Sequence, residues 1–275
     1  MTTLITDHPA WTPDTHSSTT RVILARNAVW SAHWTGTDLT LLPLGKTTDA
    51  PPRIDRTPAD DLPTTAPKPL HDALTSLGTV VRLPNPCLWD AITTAILRQV
   101  VRAAQARALY LKWCAAHGTR DTPHGPVALA PPPEVVLALP DEAFRRTGAA
   151  FHHTALQAAA AAYQQHADAW SALDADDLVK ALDAIPRVGP WTASAAAADF
   201  TGDFSVYPHG DLAVRTWARR AAPGVPLPEG ERAFAAAWQR FAPDRPQLHA
   251  LTLFTLAWGT HARTAEHNGA PTDRT

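Results

Sequence analysis

Apolar residues recur at helical spacing over most of the second half of this chain, and at strand spacing only near its start. Between Arg21 and Leu44 two short alternating stretches, Val22-Ile23-Leu24 and Leu39-Thr40-Leu41-Leu42, flank Trp30 and Trp34 and predict a small hairpin or sheet packed on a larger body. Residues 1–20, rich in Thr, Ser, Asp and Pro, read as disordered, and the Pro/Asp/Thr-rich run Thr47–Lys68 reads as a connector. The helical pattern begins near Pro69. Asn85-Pro86 opens a long periodic stretch, Leu88–His117, that divides near Val101 into two helices; Gly118–Pro133 follows as a loop. Short helices are expected at 134–139 and 141–147, then a long alanine-rich one from Ala149 to Trp170. Asp174 or Asp176 caps the next helix, which runs to Ala184; Pro186-Arg187-Val188-Gly189 forms a turn; Pro190 sits at the first position of a helix ending near Gly202. Pro208 precedes a helix carrying Asp211, and further helices cover 229–241 and 246–262. The tail 263–275 is polar and expected to fray, and there is no internal repeat.

Composition narrows this outline to a mainly α fold. Of the 275 residues 45 % are hydrophobic, many of them alanine, and β-branched runs are scarce, which favours closely packed helices. The expected organisation is a disordered start (1–20), a small β-containing arm with its connector (21–68), a helical domain (69–262) and the tail. Charged residues make up only 18 %, with a formal net charge of −2. Residues 81–275 hold 18 basic and 18 acidic residues, a balance that argues against tight nonspecific DNA binding by the whole surface. A local basic face remains open to Arg98, Arg102, Arg107, Arg215, Arg219 and Arg220. Cys87 and Cys114 lie in apolar surroundings and read as buried free thiols, too few for an iron–sulfur cluster. No basic region followed by an apolar core opens the chain, and no run of about 18 apolar residues follows, so a soluble, cytoplasmic monomer is expected.

The stretch from Leu182 to Ala193, with Asp211 22 residues after Gly189, carries the candidate chemistry. It reads as helix, tight hairpin, helix, loop, then one acid at the mouth of a further helix. A hairpin of this kind presents a helix N-terminus suited to a phosphate, and the layout is expected to bring that turn and a single carboxylate into one cleft. By spacing alone an ordinary αα-corner fits the hairpin as well, and a simple helix cap fits Asp211 as well.

Ile185-Pro186-Arg187-Val188-Gly189-Pro190-Trp191-Thr192-Ala193, followed by Val206-Tyr207-Pro208-His209-Gly210-Asp211-Leu212-Ala213-Val214-Arg215, resembles the helix-hairpin-helix DNA glycosylase superfamily. There a Gly-Val-Gly hairpin precedes a Gly/Pro-rich loop and a catalytic aspartate, which Asp211 matches. Ala95-Ile96-Leu97-Arg98-Gln99-Val100-Val101 resembles the family's Ile-Leu-Gly-Gln-(Gln/Leu)-Val-Ser loop, and Trp258 matches an aromatic pocket residue of the alkylated-base branch, that of 3-methyladenine DNA glycosylase II. The likeness spans residues 80–262.

This resemblance implies a helix-hairpin-helix bundle of two lobes that hydrolyses the N-glycosidic bond of a damaged or modified base, an alkylated one in this branch, flipped from duplex DNA. Asp211 would stabilise the positive charge that develops on the sugar and orient the attacking water, and the dipole of its helix favours the anion. Trp191, Tyr207 and Trp258 would line an aromatic pocket for the base. Arg187, Val188, Gly189 and Thr192 of the hairpin and Arg98, Gln99, Val100 and Arg102 of the loop would meet the DNA, with Val100 as the wedge that fills the gap. Members that also cut the strand carry a lysine where Trp191 stands, and a tryptophan forms no Schiff base, so the implied enzyme is monofunctional. No cofactor or metal is implied beyond a monovalent cation on hairpin carbonyls, which Arg187 argues against.

Several positions depart from the family pattern. Arg187 replaces the hairpin's first glycine, where a side chain disfavours the left-handed backbone. Arg98 and Arg102 replace a small Gly and Ser; Ala150-Phe151-His152-His153-Thr154 replaces a Lys/Arg-rich turn; Asp244 stands where an aromatic is common. Adjacent histidines on a helix diverge, so His152 and His153 make no metal pair and are expected at the surface or near substrate. Two rivals to the repair-type reading follow: a hydrolase for a specialised modified base, and a noncatalytic DNA-binding protein.

Overall fold

The computed structural model describes residues 1–14 and 18–269, with side chains as far as 262. Its strands are β1 (Thr2–Leu4), β2 (Thr12–Pro13), β3 (Thr19–Ala25), β4 (Ala28–Trp34), β5 (Leu39–Pro43), β6 (Asp55–Thr57), β7 (Thr79–Arg82), β8 (Thr119–Thr122) and β9 (Gly125–Ala128). Its helices are α1 (Lys68–Thr75), α2 (Leu88–Leu97), α3 (Ala103–His117), α4 (Pro133–Ala138), α5 (Asp141–Thr147), α6 (His153–Ser171), α7 (Ala175–Asp183), α8 (Pro190–Thr201), α9 (Leu212–Ala221), α10 (Glu231–Phe241) and α11 (Arg245–Gly269). The chain is mainly helical, and among the described residues no helix is long and apolar enough to cross a membrane. The elements divide into two compact units: residues 1–7, 55–82 and 208–275 form one, and 8–54 and 83–207 the other.

In the larger unit β2 to β5 form an antiparallel meander. Alternation sends Arg21, Ile23 and Ala25 of β3, and Trp30, Ala32 and Trp34 of β4, to the buried face, with Ile23 opposite Trp30 in the register. α2 is buried nearly all round, Thr93 and Thr94 included, with Asp90 its one partly exposed position. The alanines of α8 let it pack closely against both α2 and α7. Asp174 caps α7, its carboxylate accepting the Asp177 N–H at 2.9 Å, and Gly202 ends α8 in the left-handed region at φ 78°.

Asp90 centres a polar cluster inside this unit. Its carboxylate accepts from the Tyr110 hydroxyl at 2.7 Å and the Asn85 amide at 3.1 Å, and lies 3.2 Å from His8 Nε2 and 3.8 Å from the buried Arg21 guanidinium. Burial alone would raise this acid. The His8, Arg21 and Tyr110 partners outweigh it and hold the carboxyl down at about 2. Burial, with Asp90 close by, pushes the Cys87 thiol up to about 11, so the thiol stays protonated and inert.

In the smaller unit β7 pairs parallel with β1 and antiparallel with β6. Ala250, Leu251, Leu253, Phe254 and Ala257 of α11 are buried, and the helix packs on α9, α1, β1 and β7. Burying a leucine or phenylalanine of this kind contributes about 1.5–3 kcal/mol. Trp238 of α10 stacks on Phe234 at 5.1 Å and donates its indole N–H to Thr252.

The outline from the sequence needs four corrections. The described part of 1–20 holds β1 and β2 rather than disorder, since β1 gains its ladder partners from residues near 80. The arm and connector are not one appendage: residues 8–54 belong to one unit and 55–68 to the other. The loop after Gly118 contains the β8–β9 hairpin, and β7 interrupts the helical region begun at Pro69. The tail is helical through Gly269, while 270–275 lie outside the described residues.

Candidate active site

Ile185 to Gly189 join α7 to α8. The Val188 N–H donates to Ile185 O at 3.0 Å, Pro186 occupies the first central position, and Arg187 has φ 69° at the second. This is the pattern of a type II turn, whose second central residue is ordinarily glycine. Arg187 therefore keeps the backbone shape that the missing glycine would give. Ile185 and Val188 are buried and anchor the turn, while Arg187 is exposed. Gly189 has an ordinary φ of −86°, and a Cβ built there meets nothing within 4 Å, so nothing inside the protein requires a glycine. No side chain caps α8, and Pro190 occupies its first turn.

The 98–102 loop is bonded to this hairpin. Asn85, just before α2, donates its backbone N–H to Asp199 O and its side-chain amide to the Asp199 carboxylate near the end of α8, whereas Gln99, just after α2, reaches the beginning of α8. The two helices thus run antiparallel. Gln99 Nε2 donates to Thr192 Oγ1 at 2.8 Å and to Arg187 O at 3.2 Å. Arg98 lays its guanidinium over the Trp191 ring, 5.7 Å from the centroid. Val100 takes φ 59°, in a region that a β-branched residue rarely enters, and its side chain is 89 % exposed. Arg102 is exposed at the start of α3.

Asp211 lies in the smaller unit at the head of α9. Its Oδ1 accepts the Ala213 N–H at 2.7 Å, which fixes the carboxylate against the positive end of the helix dipole. Gly210 before it is required by a close approach: a Cβ there would lie 2.5 Å from Glu231 Cγ. Trp258 is half-buried, 6.5 Å from Trp217 of α9. Trp217 carries the Arg220 guanidinium at 5.1 Å and leaves no room for a Cβ at Gly259, which would fall 2.3 Å from the indole.

Not every expected site residue keeps its expected part. Val188 and Thr192 are buried, and the Thr192 hydroxyl accepts from Gln99, so both side chains hold the hairpin from inside. Tyr207 is 4 % exposed and stacked on Phe204, which leaves almost no open ring face for a base. Among the arginines considered for a basic face, Arg107 donates to Pro9 O and Trp11 O, Arg215 to Glu229 O and Arg219 to Pro228 O. These three tie loops down. His152 is buried rather than at the surface, and burial pushes it below the usual imidazole range; His153 packs half-buried on Phe144. Trp217 was not singled out from the sequence; the signal for it was a lone indole on an arginine-rich helix opened by Asp211.

No family model and no curated protein matches the sequence. Solved structures do. The 3-methyladenine DNA glycosylase of Archaeoglobus fulgidus aligns at 14 % identity and TM-score 0.66 over 90 % of this chain and 89 % of its own. The 8-oxoguanine glycosylase/lyase of Clostridium acetobutylicum, bound to double-stranded DNA with cytosine opposite 8-oxoguanine, aligns at 12 % and 0.66 over 96 % and 90 %. MBOgg1 in complex with a low-affinity DNA ligand aligns at 14 % and 0.71 over 94 % and 90 %. At these identities the likeness speaks for architecture, and the chain has the helix-hairpin-helix DNA glycosylase fold.

Proposed function

We propose that this chain is a monofunctional DNA N-glycosylase that removes a damaged or modified base from duplex DNA. The observation that carries this reading is Asp211, an acid whose carboxylate accepts the Ala213 N–H at the head of a helix, in a fold shared with solved DNA glycosylases. Breaking the C1′–N bond leaves positive charge on the sugar, and a preorganised carboxylate stabilises that charge and orients the incoming water. The hairpin supports DNA binding through the bare Gly189 and the N-terminus of α8, which suit a phosphate. Val100, held outward, suits the place of a base that has left the stack. An indole at Trp191 supplies no amine for a Schiff base, which supports hydrolysis without strand cleavage. Alkylated bases are the class to which the sequence resemblance points, and they include both cationic N-alkylpurines and neutral adducts.

The test is base release from duplexes carrying single lesions, with and without a subsequent alkali step. Wild type should generate alkali-labile sites and no strand breaks before alkali, and Asp211→Asn should generate none. Strand cleavage without alkali would remove the monofunctional assignment. DNA binding with no release from any lesion, unchanged in Asp211→Asn, would favour a noncatalytic binder.

A further inference from the structure

We propose that the base removed is electrically neutral and rich in hydrogen-bond acceptors, and that Arg98 selects it. This rests on the glycosylase reading above. An aromatic pocket attracts a cationic base through the negative face of its rings. At Trp191 that role is already taken, because the Arg98 guanidinium sits over the ring at 5.7 Å. Arg98 is anchored at its backbone. It closes α2, and the next residue, Gln99, is bonded to Thr192 and Arg187 on either side of Trp191. A guanidinium is a permanent cation, so the charge over the ring stays in place.

A cationic N-alkylpurine brought to Trp191 would meet a fixed like charge in a half-buried setting, where repulsion is poorly screened. A neutral base with a carbonyl or ring nitrogen would meet planar N–H donors instead. Arginine pairs with such acceptors in two-pronged fashion. The chemistry also gains. A neutral base is the poorer leaving group, since the electron pair of the C1′–N bond stays on it as negative charge. Arg98 would donate hydrogen bonds to that developing anion while keeping its own protons. Water then adds its hydroxyl to C1′, and its remaining proton ends on the released base.

The experiment compares single-turnover release of 7-methylguanine, which is cationic, with hypoxanthine, 8-oxoguanine and 1,N6-ethenoadenine, which are neutral, each normalised to its spontaneous loss. Wild type is expected to favour at least one neutral base over 7-methylguanine by about tenfold or more, and Arg98→Met to shift that ratio toward 7-methylguanine by about tenfold. Arg98→Lys, which keeps the charge without the planar fork, should retain the exclusion of 7-methylguanine while slowing release of the neutral base. Preferential release of 7-methylguanine by wild type overturns the inference and leaves the glycosylase reading intact, and it needs no variant to fold. A ratio unchanged in a folded Arg98→Met also overturns it. Release of no base by wild type overturns both.

Discussion

Replacing Val100 by glycine should make the protein more stable and less active. Val100 holds φ 59° with a β-branched side chain, and that side chain is 89 % exposed. Removing it sacrifices almost no packing. The left-handed conformation costs a non-glycine residue roughly 1–2 kcal/mol, more for a branched one, whereas glycine adds about 0.5–1 kcal/mol of unfolded-state entropy. The difference is a net gain of about 1 kcal/mol, which for a chain of this size corresponds to a melting rise of about 2–4 °C. Val100→Asn tolerates the same backbone without the extra entropy and should move in the same direction. Single-turnover base excision should fall in both, because neither side chain fills the space of an extruded base with apolar bulk. Calorimetric melting beside excision on one protein preparation decides the matter. A glycine variant that melts at or below wild type would refute the strain assignment, and one that excises at the wild-type rate would refute the wedge.

Other perturbations test the supports of the site. Gln99→Ala removes two hydrogen bonds, to Thr192 and to Arg187 O, and should lower stability by about 1–2 kcal/mol in denaturant melts while slowing excision more than it weakens DNA binding. Gly259→Ala puts a methyl into the Trp217 indole and should lower both melting temperature and excision, and Trp217→Leu in the same chain should restore the melting but not the excision. The Asp90 carboxyl is held at about 2 against an ordinary value of 3.8, so its contribution is present above pH 4 and lost as pH falls through the folded value. That contribution is about 2 kcal/mol, roughly half of it gone by pH 3. Denaturant midpoints of wild type should therefore fall more steeply between pH 5 and 3 than those of Asp90→Asn, and parallel profiles would exclude the assignment.

Helix punctuation was legible in the sequence because each signal is local. Pro190 at a first turn, Gly202 in the left-handed region and Asp174 as a cap all act within a few residues of themselves. The same locality made Asp211 visible, and it also explains why a cap and a catalytic acid were indistinguishable there: in the structure Asp211 does cap α9. Short strands were missed where their partners are distant. Nothing near Thr79 announces that Thr2 will pair with it. Arginines were overcounted as a DNA face for a related reason, since the carbonyls that engage Arg107 belong to Pro9 and Trp11, on a segment far away in sequence.

The sequence also shows Val100 and Arg187 as an ordinary helical valine and an anomalous turn arginine, and only their backbone angles join them. Among the described residues the non-glycine positions with positive φ are Arg26, Val100 and Arg187. Arg26 sits in the tight turn between β3 and β4, where such a conformation is routine. The other two occupy loops bonded to each other through Gln99, and both side chains face solvent. Strain of this kind persists only where the surroundings over-determine the backbone. Here α2 and α8 lie antiparallel, joined at one end by Asn85 and Asp199 and at the other by Gln99 and Thr192, so the two loops are held by bonds at both ends of one helix pair. Neither exposed side chain repays its strain by burial within the protein. On the function proposed above, the compensation comes from DNA, which a bare glycine, a capless helix end, an outward valine and exposed arginines suit.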